Sequence, residues 1–307
     1  MDGLTLRTQL QYALRELSNS EFLDEKTSYD FLYEAALELN RITQALNGTQ
    51  SITTTASTSA YNLNPDFQCL RVMNDRNERV VKFDDGNSES WISERPYESV
   101  LYDNNSDETA TPVSISITDY ETSATNLTGT AGATDAVSTN DTTLSGSSFG
   151  SVAVGDLVHN TTDGSQGIVT AVTSATSLET RLFYGTNNYW TSGDSYVIVP
   201  QGRKRLVVDP PNSTAGYTIT VPYVQKPTPV YSPYRSYRFD SSFGPALVKY
   251  AAWLYKYRDQ EPNKGDAWFK YFMQQAKGAV GATNKAYDRS RFRVNFVRRS
   301  FGDRSYR

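Results

Sequence analysis

Residues 243–258 read FGPALVKYAAWLYKYR, and this stretch decides how the rest of the 307-residue chain is taken. Phe243, Leu247, Tyr250, Leu254 and Tyr257 follow one another at steps of four, three, four and three, which lines one face of a helix. The pattern breaks at Gln260-Glu261-Pro262, because proline cannot continue a helix. A second helix is expected from about Gly265 to Asp288, with Trp268 or Phe269, Phe272, Gln275 or Ala276, and Ala279 on its inner side. The two helices form a hairpin over 243–289. After it, residues 290–307 read SRFRVNFVRRSFGDRSYR, basic and aromatic by turns.

That tail sets the charge balance of the chain. Lys285, Arg289, Arg291, Arg293, Arg298, Arg299, Arg304 and Arg307 stand against Asp288 and Asp303, so residues 285–307 carry +6. The whole chain carries −4, which leaves −10 for residues 1–284. Such a body would not hold nucleic acid tightly, whereas the tail would seek an acidic surface. No basic start followed by an apolar run marks a signal peptide, and no apolar stretch approaches the ~20 residues that span a bilayer. The single cysteine, Cys69, excludes an internal disulfide framework and suits a reducing cytoplasm.

Moving to the N-terminus, a helix is expected over 5–18, with Leu6, Leu10, Leu14 and Leu17 on one face and Thr5 as its cap. A second helix, 28–46, opens at Thr27 with Asp30 three residues on, and carries the stripe Leu32, Ala35, Leu39, Ile42 and Leu46. Asn47-Gly48 is expected to end it. Short strands then follow at 51–55, 61–63, 67–72 and 79–83, with 88–94 as a helical turn ended by Pro96 and an alternating strand at 113–117.

Residues 121–200 differ in texture. They are rich in Thr, Ser and Gly, lack lysine, and begin with the nearly apolar-free run SATNLTGTAGATDAVSTNDTT. Strands are expected at 152–158, 167–172, 177–182 and 195–199, with a turn at Asp163-Gly164, which suggests a small antiparallel barrel or sandwich. The flanking strands, 113–119 and 204–208, read as neighbours in one sheet, so the segment is an insertion. Beyond it, Tyr217, Ile219, Val221 and Tyr223 alternate along a strand that leads through Pro227 and Pro229 to the aromatic linker YSPYRSYRF. The expected fold class is therefore α+β: a helical bundle from the N- and C-terminal helix pairs, a small antiparallel β domain, an inserted all-β module and an extended C-terminal arm. The expected units are 1–120, 121–200, 201–242, 243–289 and 290–307.

This order of parts resembles the head-to-tail adaptor (connector) proteins of tailed bacteriophages, a family that includes the tail tubular protein of short-tailed phages. The segments that carry the resemblance are Tyr61-Asn62-Leu63-Asn64-Pro65-Asp66-Phe67, Leu206-Val207-Val208-Asp209-Pro210-Pro211, Thr218 to Tyr223 with Lys226-Pro227, and Ala246-Leu247-Val248-Lys249-Tyr250-Ala251-Ala252. Together they frame about 1–120 and 204–307. The resemblance implies a homo-oligomeric ring of twelve subunits beneath the portal protein, in the virion neck. Such a ring extends the DNA channel and carries the tail nozzle protein and fibres. DNA would pass through without tight binding, and no membrane, cofactor or catalytic activity is implied.

The residue inventory points away from catalysis as well. His159 is the only histidine, so histidine triads and multi-histidine metal sites could be built only around it. Cys69, between Phe67 and Leu70, reads as a small core residue. No Gly-x-x-x-x-Gly-Lys-Ser/Thr loop is present. The carboxylate pairs Asp84-Asp85 and Asp107-Glu108 could flank a sugar bond, but nothing favours either.

Two sets of interaction residues follow. Phe292, Val294, Phe296 and Phe301 are expected to anchor the tail in the portal, with Arg291, Arg293, Arg298 and Arg299 as charge partners. Alone in solution such a tail is expected to stay disordered, and the competing role for it is phosphate contact in the DNA channel. Leu32, Leu39, Leu46, Leu247, Leu254, Phe272, Gly278 and Gly281 are expected to supply subunit packing. A second function class is a tail-fibre or receptor-binding protein with 121–200 as a sugar-binding module, and a third is an enzyme of cell-wall entry.

Overall fold

The structure, a computed structural model, describes residues 1–15, 23–73, 78–97, 111–120, 126–258 and 262–287. Four helices and fifteen strands lie among the described residues. Helix α1 spans Gly3–Leu14 and α2 spans Glu25–Thr43. The caps are Asp2 and Asp24, each accepting the backbone N–H of the threonine three residues on: Thr5 at 2.8 Å and Thr27 at 2.7 Å. Thr5 and Thr27 therefore sit inside the helices they were expected to open. A carboxylate suits that place better, because it both accepts the free amide and meets the positive helix end. Leu6, Leu10, Leu14, Leu32, Ala35 and Leu39 are buried as their spacing requires, while Leu17 lies outside the described residues. Helix α2 ends at Gln44, whose φ of 52° closes the last turn, and Asn47-Gly48 already begins a strand.

The chain then builds β1 (Asn47–Thr53), β2 (Ala60–Asn62), β3 (Phe67–Leu70), β4 (Val72–Met73), β5 (Glu78–Asp84), β6 (Glu89–Glu94) and β7 (Ser114–Tyr120). A module follows with β8 (Leu127–Thr130), β9 (Thr142–Ser145), β10 (Leu157–Asn160), β11 (Ser165–Ser174), β12 (Ser177–Phe183) and β13 (Ser195–Val199). Strands β14 (Arg203–Asp209) and β15 (Thr218–Gln225) complete the first sheet, whose order is β1-β15-β5-β6-β7-β14-β2. Strand β3 adds to β15 and β4 to β5. All these pairings are antiparallel except β6 with β7. The sheet curls until its two edges meet. Gln50 on β1 donates to the Asn62 carbonyl at 3.1 Å and accepts from the Asn64 amide at 2.8 Å, so one side chain bridges β1 to the end of β2. Inside the curl lie Phe67, Val81, Phe83, Ile115, Leu206, Ile219, Val221 and Tyr223.

The module is a second curled sheet, ordered β8-β13-β10-β11-β12-β9 and antiparallel throughout. A bond from the Gly132 amide to the Ser145 carbonyl, 2.8 Å, joins its edges. Trp190, Tyr196, Val158, Val169, Leu182 and Ile198 fill it, and the Trp190 indole donates to Thr180 at 2.8 Å. Gly167 is required by close approach: a Cβ there would fall 1.7 Å from the Arg181 carbonyl oxygen on the paired strand. The module leaves the first sheet after Tyr120 and returns at Arg203, and these two residues face each other across the β7–β14 pair.

Helix α3 spans Gly244–Arg258 and α4 spans Pro262–Tyr287. They pack with α1, α2 and the linker aromatics Tyr231, Tyr237 and Phe239 into one core. Asn40 of α2 ties this core to the first sheet, donating to the Gln225 carbonyl at 2.6 Å and accepting from the Leu46 amide at 2.8 Å.

Several expectations are overturned. The molecule is mostly β, with two nearly closed sheets, and not a helical bundle carrying a small β domain. Residues 88–94, expected as a helical turn, form β6, and only Ile92 in it points inward to full burial. The run 123–143 contains β8 and the start of β9 despite its lack of apolar residues, because short strands in a closed sheet need few inward side chains. Pro262 opens α4, where its missing N–H costs nothing, in place of a start near Gly265. On α3 the buried face runs through Leu247, Val248, Ala251, Ala252 and Tyr255, while Tyr257, expected inside, is 63% exposed. The expected extended arm, 290–307, lies outside the described residues.

Candidate functional site

The helical hairpin is held by an aromatic contact chain between its two arms. Tyr250 of α3 meets Phe272 of α4 with ring centroids 4.7 Å apart, and Trp253 meets Phe269 at 4.8 Å. Gly265 leaves room for the indole, since a Cβ there would come within 3.0 Å of Trp253 Cδ1. Lys249 lies over the Trp268 ring at 5.6 Å. Helix α3 thus serves three neighbours: it packs with α1 and α2 in the helical core and meets α4 through Tyr250 and Trp253. The hairpin carries the chain to Tyr287. Arg291, Phe292, Arg293, Val294, Phe296, Arg298, Arg299 and Phe301 come after it, outside the described residues.

The residues expected to pack subunits divide differently. Leu32, Leu39, Leu247 and Phe272 are at most 1% exposed and meet the chain's own helices. Leu46 and Leu254 are half-buried, and Gly278 stands on the exposed side of α4 with open space where a Cβ would go. Gly281 lies in α4, and its surroundings fall outside the description.

A second cluster joins the module to the helices. The outer face of β11 and β12 turns Ile168 and Phe183 into the helical core. Between them in the sheet Arg181, whose side chain is 3% exposed, gives one nitrogen to the carbonyls of Ser138 at 2.5 Å and Asn140 at 3.1 Å. Its other terminal nitrogen reaches Glu25 of α2 at 3.3 Å. Tyr184 donates to Asp24, Tyr231 of the linker donates to Asp30 at 2.7 Å, and Ser232 pairs with Asn140. Arg235 of the linker bridges Asp141 and Glu179 of the module. Beside these contacts a polar cleft of about 530 Å³ opens between module and linker, lined by Asp141, Glu179, Tyr234, Arg235 and Arg238 among others.

The electrostatics of this joint are ordered around α2. Burial opposes ionisation of Asp24, but hydrogen bonds from Thr27 and Tyr184 outweigh it and hold its carboxyl below the ordinary value of 3.8. Burial, reinforced by the Asp24 carboxylate, pushes the Tyr184 phenol upward, and burial with Asp30 does the same for Tyr231. Both hydroxyls therefore keep their protons and act as donors.

The groups considered for catalysis are dispersed. His159 is half-buried on β10, opposite Gln166 and Val197. Cys69 is half-buried on β3, and burial pushes its thiol upward, away from the reactive thiolate. Asp84 and Asp85 accept backbone amides of the turn between β5 and β6, from Gly86, Asn87 and Ser88. Asp107-Glu108 lies outside the described residues. Among the described residues no group of three His, Cys, Asp or Glu could hold a metal ion, and no helix is long and apolar enough to cross a membrane.

A family model described as SU10 adaptor protein matches residues 115–298, more than half of the chain. The chain belongs to the SU10 adaptor protein family. The matched span begins in β7, takes in the whole module, and continues through β14, β15, α3 and α4. As an SU10 adaptor the protein is a bacteriophage structural adaptor, a virion component that works against capsid or tail components. No curated protein matches the chain.

The sequence reading missed the joint. One signal for it was present: Arg181 is the single Lys or Arg between 121 and 200. Asp24, three residues before Thr27, was the other, as a cap in the usual position. Nothing local connects Tyr184 to Asp24.

Proposed function

We propose that this SU10 adaptor is the ring component between the portal and the tail of a bacteriophage, with its C-terminal arm docking onto the portal. The observation that carries the reading is the extent of the family match. It runs to residue 298, past the end of α4, and so includes Arg291, Phe292, Arg293, Val294, Phe296 and Arg298 with the adaptor body. The +6 segment on a −10 body supports a docking role, because the arm and the rest of the chain favour different surroundings. The hairpin α3–α4, braced by its aromatic contacts, forms a rigid base from which the arm departs.

In this reading subunits close into a twelvefold ring without catalytic activity, extend the DNA channel, and give the nozzle and fibres their platform. Many arms then act together, so weak single contacts add to stable docking. Removal of 290–307 tests the proposal. The truncated protein should keep its fold by circular dichroism and lose co-sedimentation with portal rings. Unimpaired co-sedimentation overturns the docking role, and a compact trimer in place of a ring overturns the adaptor ring.

A further inference from the structure

The cleft of about 530 Å³ between the module and the linker has walls of different origin. One is the outer face of the module's sheet. Thr143 of β9 stands directly opposite Glu179 of β12, so the two side chains share a face, and Asp141 lies just before β9. The other wall is the linker, where Tyr234, Ser236 and Arg238 are exposed while Tyr237 and Phe239 turn into the helical core. Arg235 joins the walls, since its guanidinium meets both Asp141 and Glu179. Backbone bonds hold the linker in place: the Gly3 amide donates to the Arg235 carbonyl at 2.8 Å, the Leu4 amide to the Pro233 carbonyl at 3.2 Å, and the Tyr237 amide to the Met1 carbonyl at 3.1 Å. Both walls are thus formed in advance, which spares a ligand the cost of ordering them.

The lining selects against ions. Two carboxylates, Asp141 and Glu179, accompany two guanidinium groups, Arg235 and Arg238, so the formal charges cancel. Beside them stand the hydroxyls of Thr143, Ser236 and Tyr234, which both donate and accept. Tyr234 also presents its ring to solvent, being 77% exposed. An aromatic face next to mixed donors and acceptors offers both contacts that a sugar ring makes. The sugar hydroxyls hydrogen-bond, and its weakly positive C–H face lies on the electron-rich ring. The volume falls within the ~300–1,000 Å³ of small-molecule sites, which suits a short saccharide.

We propose that this cleft binds a short neutral saccharide, stacked on Tyr234 and hydrogen-bonded to Ser236 and Arg238 of the linker and to Thr143 and Glu179 of the module. The ligand lies across the seam where the inserted module meets the linker. The proposal does not rest on the portal reading, and its test uses the isolated full-length chain.

Saturation-transfer difference NMR, with maltotriose, chitotriose, lactose and a rhamnose disaccharide as probes and glycerol as the control, should show transfer to at least one saccharide and none to glycerol. Titration of that saccharide then separates the contacts. Tyr234→Ala should weaken binding about tenfold, whereas Tyr234→Phe, which keeps the ring, should stay within about threefold of the wild type. Thr143→Val, on the opposite wall and of nearly the same shape, should weaken it about threefold. Tyr234 is exposed, so its replacement leaves the core intact and decides the matter if Thr143→Val does not fold. No transfer to any of the saccharides, transfer to glycerol of equal strength, or wild-type binding by Tyr234→Ala would each overturn the proposal. A synthetic peptide of residues 290–307 that binds in a Tyr234-dependent way, where no saccharide does, would overturn it in favour of the arm.

Discussion

The Tyr184 hydroxyl donates to Asp24, the same carboxylate that caps α2 through the Thr27 amide. The two residues lie 160 positions apart and belong to different units of the fold. Tyr184 holds a left-handed backbone, φ 67°, which is unfavourable for a bulky side chain and persists only where surroundings fix it. The contact is thus a latch between the module and the start of a core helix.

Tyr184→Phe removes the latch hydroxyl and little else. Loss of one hydrogen bond to a half-exposed group should cost about 1 kcal/mol. Urea unfolding of the two proteins should differ by that amount, and identical midpoints would mean that the latch adds nothing to stability.

Asp24 gives the latch a defined pH dependence. Its folded-state pKa lies below the ordinary 3.8, so its contribution is complete above that pH and is lost as pH falls through the folded value. Asn also caps helices well, so Asp24→Asn removes chiefly the charge. The stability gap between wild type and Asp24→Asn should be open at pH 6 and close below pH 3.8. A gap that widens toward acid would contradict the assignment.

The ion pair at the root of the module should matter far more. Arg203 meets Asp156 through one terminal nitrogen at 2.8 and 2.9 Å, and Asp156 also accepts the amides of Ala153 and Gln201. Side-chain exposures are 7% and 0%. Arg203→Met strands a buried carboxylate, for which about 3–5 kcal/mol is expected. Thermal unfolding followed by near-ultraviolet circular dichroism would measure it.

Gly167→Ala should damage the module selectively. The new methyl group would meet the Arg181 carbonyl, which belongs to the backbone and cannot rotate away. Overpacking of this kind costs about 1–3 kcal/mol, and here it also strains the β11–β12 pair. Trp190 is fully buried inside the module and should report the change as a red-shifted fluorescence component. An unshifted spectrum with wild-type stability would count against the close approach.

What could be read from the residues tracks how local the cause was. The stripe Leu32, Ala35 and Leu39 on α2 was legible because one helix face is apolar and the opposite face charged. Helix α3 defeated the same reasoning. Its sequence is apolar on several sides, so the stripe ending at Leu254 and Tyr257 competed with the one through Ala251 and Tyr255 that neighbouring helices select. Strands β8 and β9 carry little alternation, and their place comes from backbone pairing with β13 and β12. The polar joint was invisible for a related reason. Arg181 and Glu25, like Tyr184 and Asp24, are brought together only when the whole chain has folded, and no periodicity encodes them.

The pairing of Tyr120 with Arg203 fixes the two ends of the module side by side on adjacent strands. Neighbouring strands are separated by about 5 Å, so a tight two-residue turn could close the gap in the module's place without shifting the register of β7 or β14. The outgoing and incoming chains form a socket: a folded unit with adjacent termini fits there without shifting the sheet beneath, provided that it also covers the helical core where Ile168 and Phe183 now pack. An adaptor of this design can thereby vary the inserted unit while the strand order of its first sheet stays fixed.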